Sequence, residues 1–384
     1  MRRTEHYIGL MSGTSLDGID AVHAEVTTTE GRVRVLGHQH QPFSADLRAS
    51  LLGFNLSGPD EIHRSQLAAN QLARQQASLV LGLLQEAGIS PAQVTAVGSH
   101  GQTVRHRPGE FDGCGYTVQL NAGALLAELT DIDVVCDFRS RDVAAGGQGA
   151  PLVPAFHASA FGHAGIERAV LNLGGIANLS LLGAPAIDGR EAQAVRGFDT
   201  GPANALLDHW IHRHLGLAFD ENGAWAAGGR VLPELLAAMM REPFLALPPP
   251  KSTGRDLFNV DWLNRQLQAL SSAPEARDVQ ATLAELTAQS IAQALLRHAP
   301  GTTELLACGG GALNADLMDR LRQALPGIRV GNTAEAGLPV MQVEAAAFAW
   351  LAWAFVHRQA GNRPEVTGAK GLRVLGCLHP RHSA

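Results

Sequence analysis

The chain carries two copies of one local pattern: an apolar strand, a short glycine-rich polar turn and a second apolar strand. The first copy runs from Tyr7 to Val26 around the turn at 12–18, and the second runs from Ala169 to Leu181 around Gly174-Gly175. Short turns of glycine and polar residues predict antiparallel hairpins, not the strand-to-helix step of a dinucleotide-binding unit. Because the copies lie about one domain length apart, they favour two duplicated lobes.

Helix-like and strand-like patterns alternate along the rest of the chain. Helices are predicted at 65–87, 203–215, 278–298 and 344–356. Further strands are predicted at 33–38, 96–100, 117–120, 132–136 and 304–308. The segment 372–378 is either one more strand or an apolar tail that packs against the first lobe. This alternation is typical of an α/β fold.

A polar loop at 137–154 interrupts this pattern with two arginines, three glycines and two prolines. The change in composition predicts the first domain boundary. We expect an N-terminal lobe of 1–136 with 365–384, and a C-terminal lobe of 137–364. The length fits roughly two to three domains of ~150 residues.

The charge balance excludes several classes of partner. Thirty Lys and Arg against thirty-six Asp and Glu give a net charge of −6, which argues against a nucleic-acid surface or a polybasic membrane anchor. The longest apolar run, at 345–356, is shorter than the ~18 residues of a spanning helix, and no signal peptide is evident. The four cysteines form no C-x-x-C pair. We therefore expect a soluble cytoplasmic protein with reduced thiols.

The opening turn, Gly13-Thr14-Ser15-Leu16-Asp17-Gly18, suits an anion. Glycines let backbone N–H groups approach a phosphate, and hydroxyls add further donors. A carboxylate beside a phosphate requires a cation, so Asp17 is a candidate Mg²⁺ ligand. An ordinary tight hairpin has the same composition and remains an equal alternative for this turn alone.

Two more glycine-rich turns follow apolar strands, namely Gly174-Gly175 and Gly309-Gly310-Gly311. Neither matches a common nucleotide-binding fingerprint. Three such turns could converge on one nucleotide, two facing its phosphates and the third its adenosine. Each turn alone could equally be structural.

Polar side chains at strand ends supply the candidate chemistry. Asp199 stands between a predicted strand and a predicted helix, where it could act as a base or simply cap the helix. The helix end would lower the pKa of Asp199. Arg139 offers a guanidinium fork to a substrate carboxylate, or it belongs to an interdomain salt-bridge cluster. His100 and Gln102 follow a strand, where ligand contacts tend to lie, although a lone histidine there is more often structural.

Together these motifs resemble one family, the anhydro-N-acetylmuramic acid kinases of bacterial cell-wall recycling. The resemblance lies in IGLMSGTSLDGID at 8–20, SHGQT at 99–103, the 137–154 loop, NLGGIAN at 172–178, GFDTGP at 197–202, KSTGR at 251–255 and GGG at 309–311. It runs nearly end to end. One departure is Ala203, where family members usually carry glycine.

The resemblance implies a two-lobed actin/sugar-kinase-like (ribonuclease H-like duplicated) α/β fold, with the active site in the interdomain cleft. It implies that ATP and Mg²⁺ serve to open 1,6-anhydro-N-acetylmuramic acid with water and to phosphorylate its O6. By that likeness Asp199 is the catalytic base and Asp17 lies near the metal. Substrate contacts fall to His100, Gln102, Arg139 and Glu344. The implied ATP-binding residues are Gly13, Thr14, Ser15, Leu16, Asp17, Gly18, Ile19, Asp20, Gly174, Gly175, Gly309, Gly310 and Gly311. A homodimer is also plausible on this resemblance.

Other classes stay open at this point. A sugar kinase of the same fold with a simple hydroxyl acceptor would consume no water. An ATP-dependent binding or chaperone module would carry a peptide-binding domain, for which the chain leaves no room. A glycosidase using Asp199 with Glu344 would act without ATP and leave three glycine-rich turns unexplained.

Overall fold

The computed structural model describes residues 3–13, 15–163, 165–183, 195–254 and 257–382. The chain divides into two compact units: Met1–Ala160 with Gln342–Ala384, here the first unit, and Phe161–Met341, the second unit. The strands are β1 (Thr4–Ser12), β2 (Gly18–Thr27), β3 (Val33–Pro42), β4 (Val94–Pro108), β5 (Gly115–Leu120), β6 (Val134–Cys136), β7 (Arg168–Leu173), β8 (Ile176–Leu182), β9 (Arg196–Pro202), β10 (Glu304–Cys308), β11 (Arg329–Asn332) and β12 (Cys377–His379).

Fourteen α-helices occur in the described residues. They are α1 (Ala45–Gly53), α2 (Glu61–Ala87), α3 (Gly123–Thr130), α4 (Ser140–Ala144), α5 (Val153–Phe161), α6 (Asn204–Leu215), α7 (Ala224–Ala227), α8 (Pro233–Met239), α9 (Pro243–Ala246), α10 (Val260–Gln268), α11 (Ala276–His298), α12 (Ala315–Ala324), α13 (Val343–Val356) and α14 (Pro364–Thr367). In the part of the chain that the structure describes, none of the helices is both long and apolar enough to span a bilayer.

The two units repeat one strand arrangement. In the first unit, β3-β2-β1-β4-β6 form adjacent strands, with β12 beyond β6 and β5 paired to β4. In the second unit the order is β9-β8-β7-β10-β11. Each sheet contains an antiparallel hairpin, β1–β2 or β7–β8, and its first strand pairs in parallel with β4 or β10. The duplication predicted from the two hairpins and the α/β class predicted from the alternation of strands and helices are therefore confirmed.

Glycine residues let helix α13 lie directly on the first unit's sheet. Gly9 on β1 and Gly98 on β4 are in register with each other. A Cβ atom at either position would overlap a backbone carbonyl oxygen of α13: that of Ala345 for Gly9 and that of Phe348 for Gly98. Close packing places the first turn of α13, which contains Glu344, at this sheet.

The observed units differ from the predicted lobes. Residues 137–160 and 342–364 fall in the first unit. The reason is packing: α13 contacts β1, β2 and β4, and α4 contacts β5. The composition change at 137–154 marks a loop within this unit. Likewise, the predicted strand at 372–378 is only the three-residue β12, because just Cys377–His379 pairs with β6.

Candidate active site

The loop joining β1 to β2 is tied to the middle of the neighbouring parallel strand β4, which contains His100 and Gln102 and does not end before them. Ser12 Oγ donates a hydrogen bond to Gly101 O over 2.9 Å, and Gln102 Nε2 donates to Gly13 O over 3.0 Å. Leu16 anchors the loop from within, because its side chain is buried in the core even though its φ is +56°. Thr14 lies outside the described residues. The loop is thus held by side chains of the SHGQT motif.

The turn itself presents two carboxylates. Asp17 is exposed, and its Oδ1 accepts a hydrogen bond from Ser15 Oγ over 2.7 Å. Asp20 Oδ1 accepts from His38 Nε2 and His40 Nδ1 over 2.9 and 3.2 Å. Ile19, by contrast, is fully buried in the core, and a Cβ at Gly18 would overlap Gln41 O. The side-chain chemistry of the loop therefore resides in Ser15, Asp17 and Asp20.

Glu344 brings a third carboxyl group to the same region. Burial raises its pKa, the negative charges of Asp20 and Asp17 raise it further, and the Arg139 guanidinium opposes them. Glu344 therefore keeps its proton to a higher pH than an ordinary glutamate does. Among the described residues, no group of three or more His, Cys, Asp or Glu side chains is arranged to hold a metal ion.

Arg139 and His100 form a buried pair with a defined tautomer. Arg139 Nε and Nη2 lie 3.1 and 3.0 Å from His100 Nε2, and His100 Nδ1 lies 3.1 Å from Ser12 O. Because both guanidinium nitrogens of Arg139 can only donate, His100 Nε2 must be the acceptor and His100 Nδ1 carries the proton. Burial, reinforced by Arg139, lowers the pKa of His100 to about 3, so the ring is neutral near pH 7. Both ring nitrogens are thus engaged within the protein.

Arg139 is in turn held by the 137–154 loop. Its Nη1 donates to Gly149 O over 2.8 Å. The fully buried Asp142 fixes this segment, since its carboxylate accepts from Gly149 N, Asn362 Nδ2 and Thr367 Oγ1 over 2.7 to 2.8 Å. Of the five N–H groups of Arg139, two remain available to a ligand.

This pairing predicts that Arg139→Lys destabilises the fold. A lysine has one nitrogen in place of the three guanidinium nitrogens that donate to His100 Nε2 and Gly149 O, so it cannot reproduce this forked arrangement. Losing a buried hydrogen bond in this way should cost about 2 kcal/mol. Urea unfolding of the variant measures the change. Arg141→Lys is the matched control, because Arg141 is exposed two residues away and should unfold like the parent protein. Equal stability of the two variants would contradict the pairing.

In the second unit, the two remaining glycine turns lie together. Asn204, the first residue of α6, donates its Nδ2 to Leu173 O over 2.9 Å, and its backbone N–H donates to Gly174 O over 3.0 Å. A Cβ at Gly311 would lie 2.7 Å from Leu173 Cβ and 3.0 Å from Asn204 Oδ1. A Cβ at Gly174 or Gly175 would make only ordinary van der Waals contacts, with nothing nearer than 3.5 Å. The start of α6 therefore lies beside both glycine turns, Gly174-Gly175 and Gly309-Gly310-Gly311.

Asp199 lies within strand β9, not at a helix terminus. Helix α6 begins only at Asn204, with Ala203 as its N-cap, and Pro202 is the last residue of the strand. The expected helix-end lowering of the pKa is therefore wrong. Burial raises the pKa of Asp199, against the opposing hydrogen bonds from Thr253 and Ser252 and the charge of Lys251.

A polar row crosses this sheet in register. Asn172 on β7 pairs with Asn178 on β8, which pairs with Asp199 on β9. Directly opposed residues project from the same face of a sheet. A bulge between Ala177 and Asn178 leaves Thr200 without a partner in the ladder, and such bulges re-aim neighbouring side chains. Asn172 Oδ1 is buried without a hydrogen-bond partner among the described residues.

The segment 251–253 wraps around Asp199, and sequence reasoning did not assign it. Asp199 N donates to Lys251 O over 3.1 Å. Ser252 Oγ and Thr253 N both donate to Asp199 Oδ2 over 2.9 Å. These two hydrogen bonds fix Oδ2, and none of the described residues donates to Oδ1. The KSTGR motif was the only sequence signal for this segment.

Comparison with known proteins connects these motifs. The family model described as anhydro-N-acetylmuramic acid kinase matches residues 5–381. The anhydro-N-acetylmuramic acid kinase of Variovorax paradoxus (strain S110) is 56% identical over 98% of this chain and 99% of its own length. That of Cupriavidus metallidurans is 54% identical over 98% of both chains. Xylulose kinase from Rhodospirillum rubrum superposes with a TM-score of 0.44 at 11% identity, covering 96% of this chain and 94% of its own, too weak a likeness to argue from.

These matches define the class as a kinase that phosphorylates a sugar hydroxyl. The chain belongs to the anhydro-N-acetylmuramic acid kinase family.

Proposed function

We propose that the protein uses ATP and water to convert 1,6-anhydro-N-acetylmuramic acid into N-acetylmuramic acid 6-phosphate and ADP. The observation that carries this proposal is Asp199, a carboxylate with a raised pKa whose Oδ2 is oriented by hydrogen bonds from Ser252 and Thr253. Family membership supplies the substrate class. A reaction that consumes ATP fits the cytoplasm, and the homodimer stays a prediction from the resemblance.

In this reaction Asp199 is the general base. Water attacks C1 of the sugar and gives one proton to the Asp199 carboxylate, while its second proton stays on the new C1 hydroxyl. The C1–O6 bond breaks, and O6 forms a bond to the γ-phosphorus as the β,γ-bridging P–O bond breaks to release ADP. The raised pKa of Asp199 strengthens it as a base compared with an ordinary aspartate.

The glycine turns suit the nucleotide. Gly174 and Gly175 carry no side chain that would keep a phosphate away from their backbone N–H groups, and Gly309–Gly311 lie beside the same helix start. Magnesium, which neutralises phosphate charge in such transfers, would enter bound to ATP. The exposed Asp17 carboxylate has the oxygen chemistry that Mg²⁺ prefers, although the described residues form no complete metal cage.

The first unit's cluster suits the sugar. Arg139 has two N–H groups left for a carboxylate, and Gln102 Oε1 is buried with no hydrogen-bond partner among the described residues. Glu344, which retains a proton more readily than usual, can donate it in a hydrogen bond to a sugar oxygen. His100 acts indirectly, by orienting Arg139.

If Asp17 meets the nucleotide's cation, Asp17→Ala should raise the Mg²⁺ concentration needed for half-maximal rate by about tenfold, the effect of losing one charged ligand contact. Titrating Mg²⁺ at fixed ATP measures this. Asp46→Ala, which removes an exposed carboxylate in the first turn of α1, is the control and should leave the titration unchanged. An unaltered Mg²⁺ dependence in Asp17→Ala would remove Asp17 from this role.

The substrate assignment is tested by following ADP release with two sugars. The anhydro sugar should drive stoichiometric ADP formation. N-Acetylmuramic acid, which has the same lactyl carboxylate but a free O6, should give little ADP. Efficient turnover of the open sugar in place of the anhydro sugar would favour a kinase with a simple hydroxyl acceptor.

A further inference from the structure

Lys251 lies next to the proposed base, where a kinase lysine would ordinarily be expected to bind phosphate. It is one of only two lysines in the chain. Its ammonium group is already engaged: Nζ donates to Phe244 O and Leu245 O, each over 3.1 Å, and lies 4.7 Å from the centre of the Phe244 ring. Those contacts occupy two of its three N–H groups and one aromatic face.

The anchor to which Lys251 binds is well packed. Phe244 is buried and meets Phe258 edge to face at 5.9 Å. Phe258 in turn packs against Trp262, whose Nε1 donates to Glu242 Oε2 over 2.8 Å, just before α9. The carbonyl groups of Phe244 and Leu245, which accept hydrogen bonds from Lys251 Nζ, thus belong to residues packed in the second unit's core.

The backbone of Lys251 begins the clasp around Asp199, which we define as residues 251–253. Its carbonyl oxygen accepts from Asp199 N, and the next two residues donate to Asp199 Oδ2. Lys251 therefore contacts the core of the second unit through its side chain and the proposed base, Asp199, through its backbone carbonyl group.

Charge couples the same two residues. Burial lowers the pKa of Lys251, the neighbouring Arg297 lowers it further, and Asp199 opposes both. Conversely, the positive charge of Lys251 lowers the pKa of Asp199. Among the described residues, His298 at the end of α11 also belongs to this charged region: burial lowers its pKa, and the positive charges of Arg297, Lys251 and Arg196 lower it further. Arg196, at the start of β9, donates from Nη2 to the carbonyl oxygen of His298.

We infer that Lys251 is a positioning residue, which anchors the 251–253 clasp to α9 and so orients Asp199, and that it is not a ligand of the ATP phosphates. This inference rests on the proposed role of Asp199. It separates two functions that a lysine in this motif could have, and each has its own kinetic signature.

The test compares Lys251→Met, Lys251→Arg and the control Lys370→Met, which removes the other, exposed lysine. For Lys251→Met we expect kcat to fall about 10- to 100-fold, because misplacing a catalytic group by about 1 Å costs about that much. Affinity for ATP, measured by calorimetry, should stay within about twofold, since no phosphate contact is lost. Lys251→Arg should recover part of kcat, and Lys370→Met should match the parent protein.

The pH profile supplies a second readout. The base must be deprotonated, so kcat falls as the pH drops through the pKa of Asp199. Loss of the Lys251 charge removes a contribution that lowers this pKa, so the acid limb should move to higher pH in Lys251→Met. A merely structural defect would reduce kcat without moving the limb.

The outcomes separate the inference from the proposed function. If ATP affinity falls tenfold or more in Lys251→Met while kcat holds, Lys251 is a phosphate ligand and the inference is overturned. An unmoved acid limb with unchanged kcat also overturns it. If instead the parent protein does not turn over the anhydro sugar, or Asp199→Asn remains active, the proposed function fails regardless of Lys251.

Discussion

Asp199→Asn is expected to lower kcat by about three orders of magnitude, the usual contribution of a well-placed general base. Asparagine keeps the size of the side chain and can still accept from Ser252 and Thr253, so the fold and ATP affinity should persist. It cannot take a proton from water. Single-turnover and steady-state measurements with ATP and the anhydro sugar give the size of the loss.

Ser252→Ala serves as the graded control for this variant. It removes one of the two hydrogen bonds to Asp199 Oδ2 and leaves the carboxylate in place, so its loss of kcat should be much smaller. The acid limb of the parent pH profile should lie above the ordinary range of an aspartate, since burial raises the pKa of Asp199. An Asp199→Asn enzyme with near-parental turnover would contradict the base assignment.

The second large effect is expected from Gly98→Ala. The added Cβ would overlap Phe348 O, a backbone atom that can move only if α13 moves. Overpacking of this kind costs about 3 kcal/mol of unfolding free energy. Because α13 also carries Glu344, the surviving folded protein should bind the sugar more weakly.

Gly53→Ala is the matched control for this substitution. Gly53 ends helix α1, and a Cβ there meets only Arg64 Nη2 at 3.8 Å, an ordinary contact. The control should be neutral or slightly more stable, because alanine favours helices. Thermal and urea unfolding of both variants measure the difference. Equal stability would mean that α13 does not depend on the close approach at Gly98.

The hairpins and the duplication were predictable because they follow from local chemistry. Apolar runs at 7–11 and 169–173, the first followed by Ser12-Gly13 and the second by Gly174-Gly175, leave few alternatives to a strand and a tight turn. The long helix α11 was predicted within two residues of its start for the same reason, since its pattern persists over 23 residues.

The placement of Asp199 was not predictable in this way. Proline at position 202 followed by a helical pattern is typical of a helix start, and it led to the expectation that Asp199 lies beside a helix N-terminus. Instead, Gly201 and Pro202 still pair with β8 beyond the bulge at Thr200, so that β9 continues to Pro202. The end of β9 is determined by its pairing with β8, and this contact across the sheet has no signal in the local sequence around Asp199.

The support around the candidate residues depends on distant parts of the chain. Asp142 binds Asn362 and Thr367, more than 200 residues away, and Lys251 reaches Asp199 from 52 positions further along the chain. Periodicity and spacing contain no information on such contacts. The resemblance identified the candidate residues as a set, and the structure adds the hydrogen bonds that position each of them.

The most direct test of the central claim is the fate of solvent oxygen. The protein would be incubated with ATP, Mg²⁺ and 1,6-anhydro-N-acetylmuramic acid in ¹⁸O-labelled water, and the products resolved by mass spectrometry. The finished product kept in labelled water without enzyme controls for spontaneous exchange. The account predicts a sugar 6-phosphate with ¹⁸O at C1, unlabelled phosphate oxygens and an equal amount of ADP. A phosphorylated sugar without label at C1, or label in the phosphate, would contradict it.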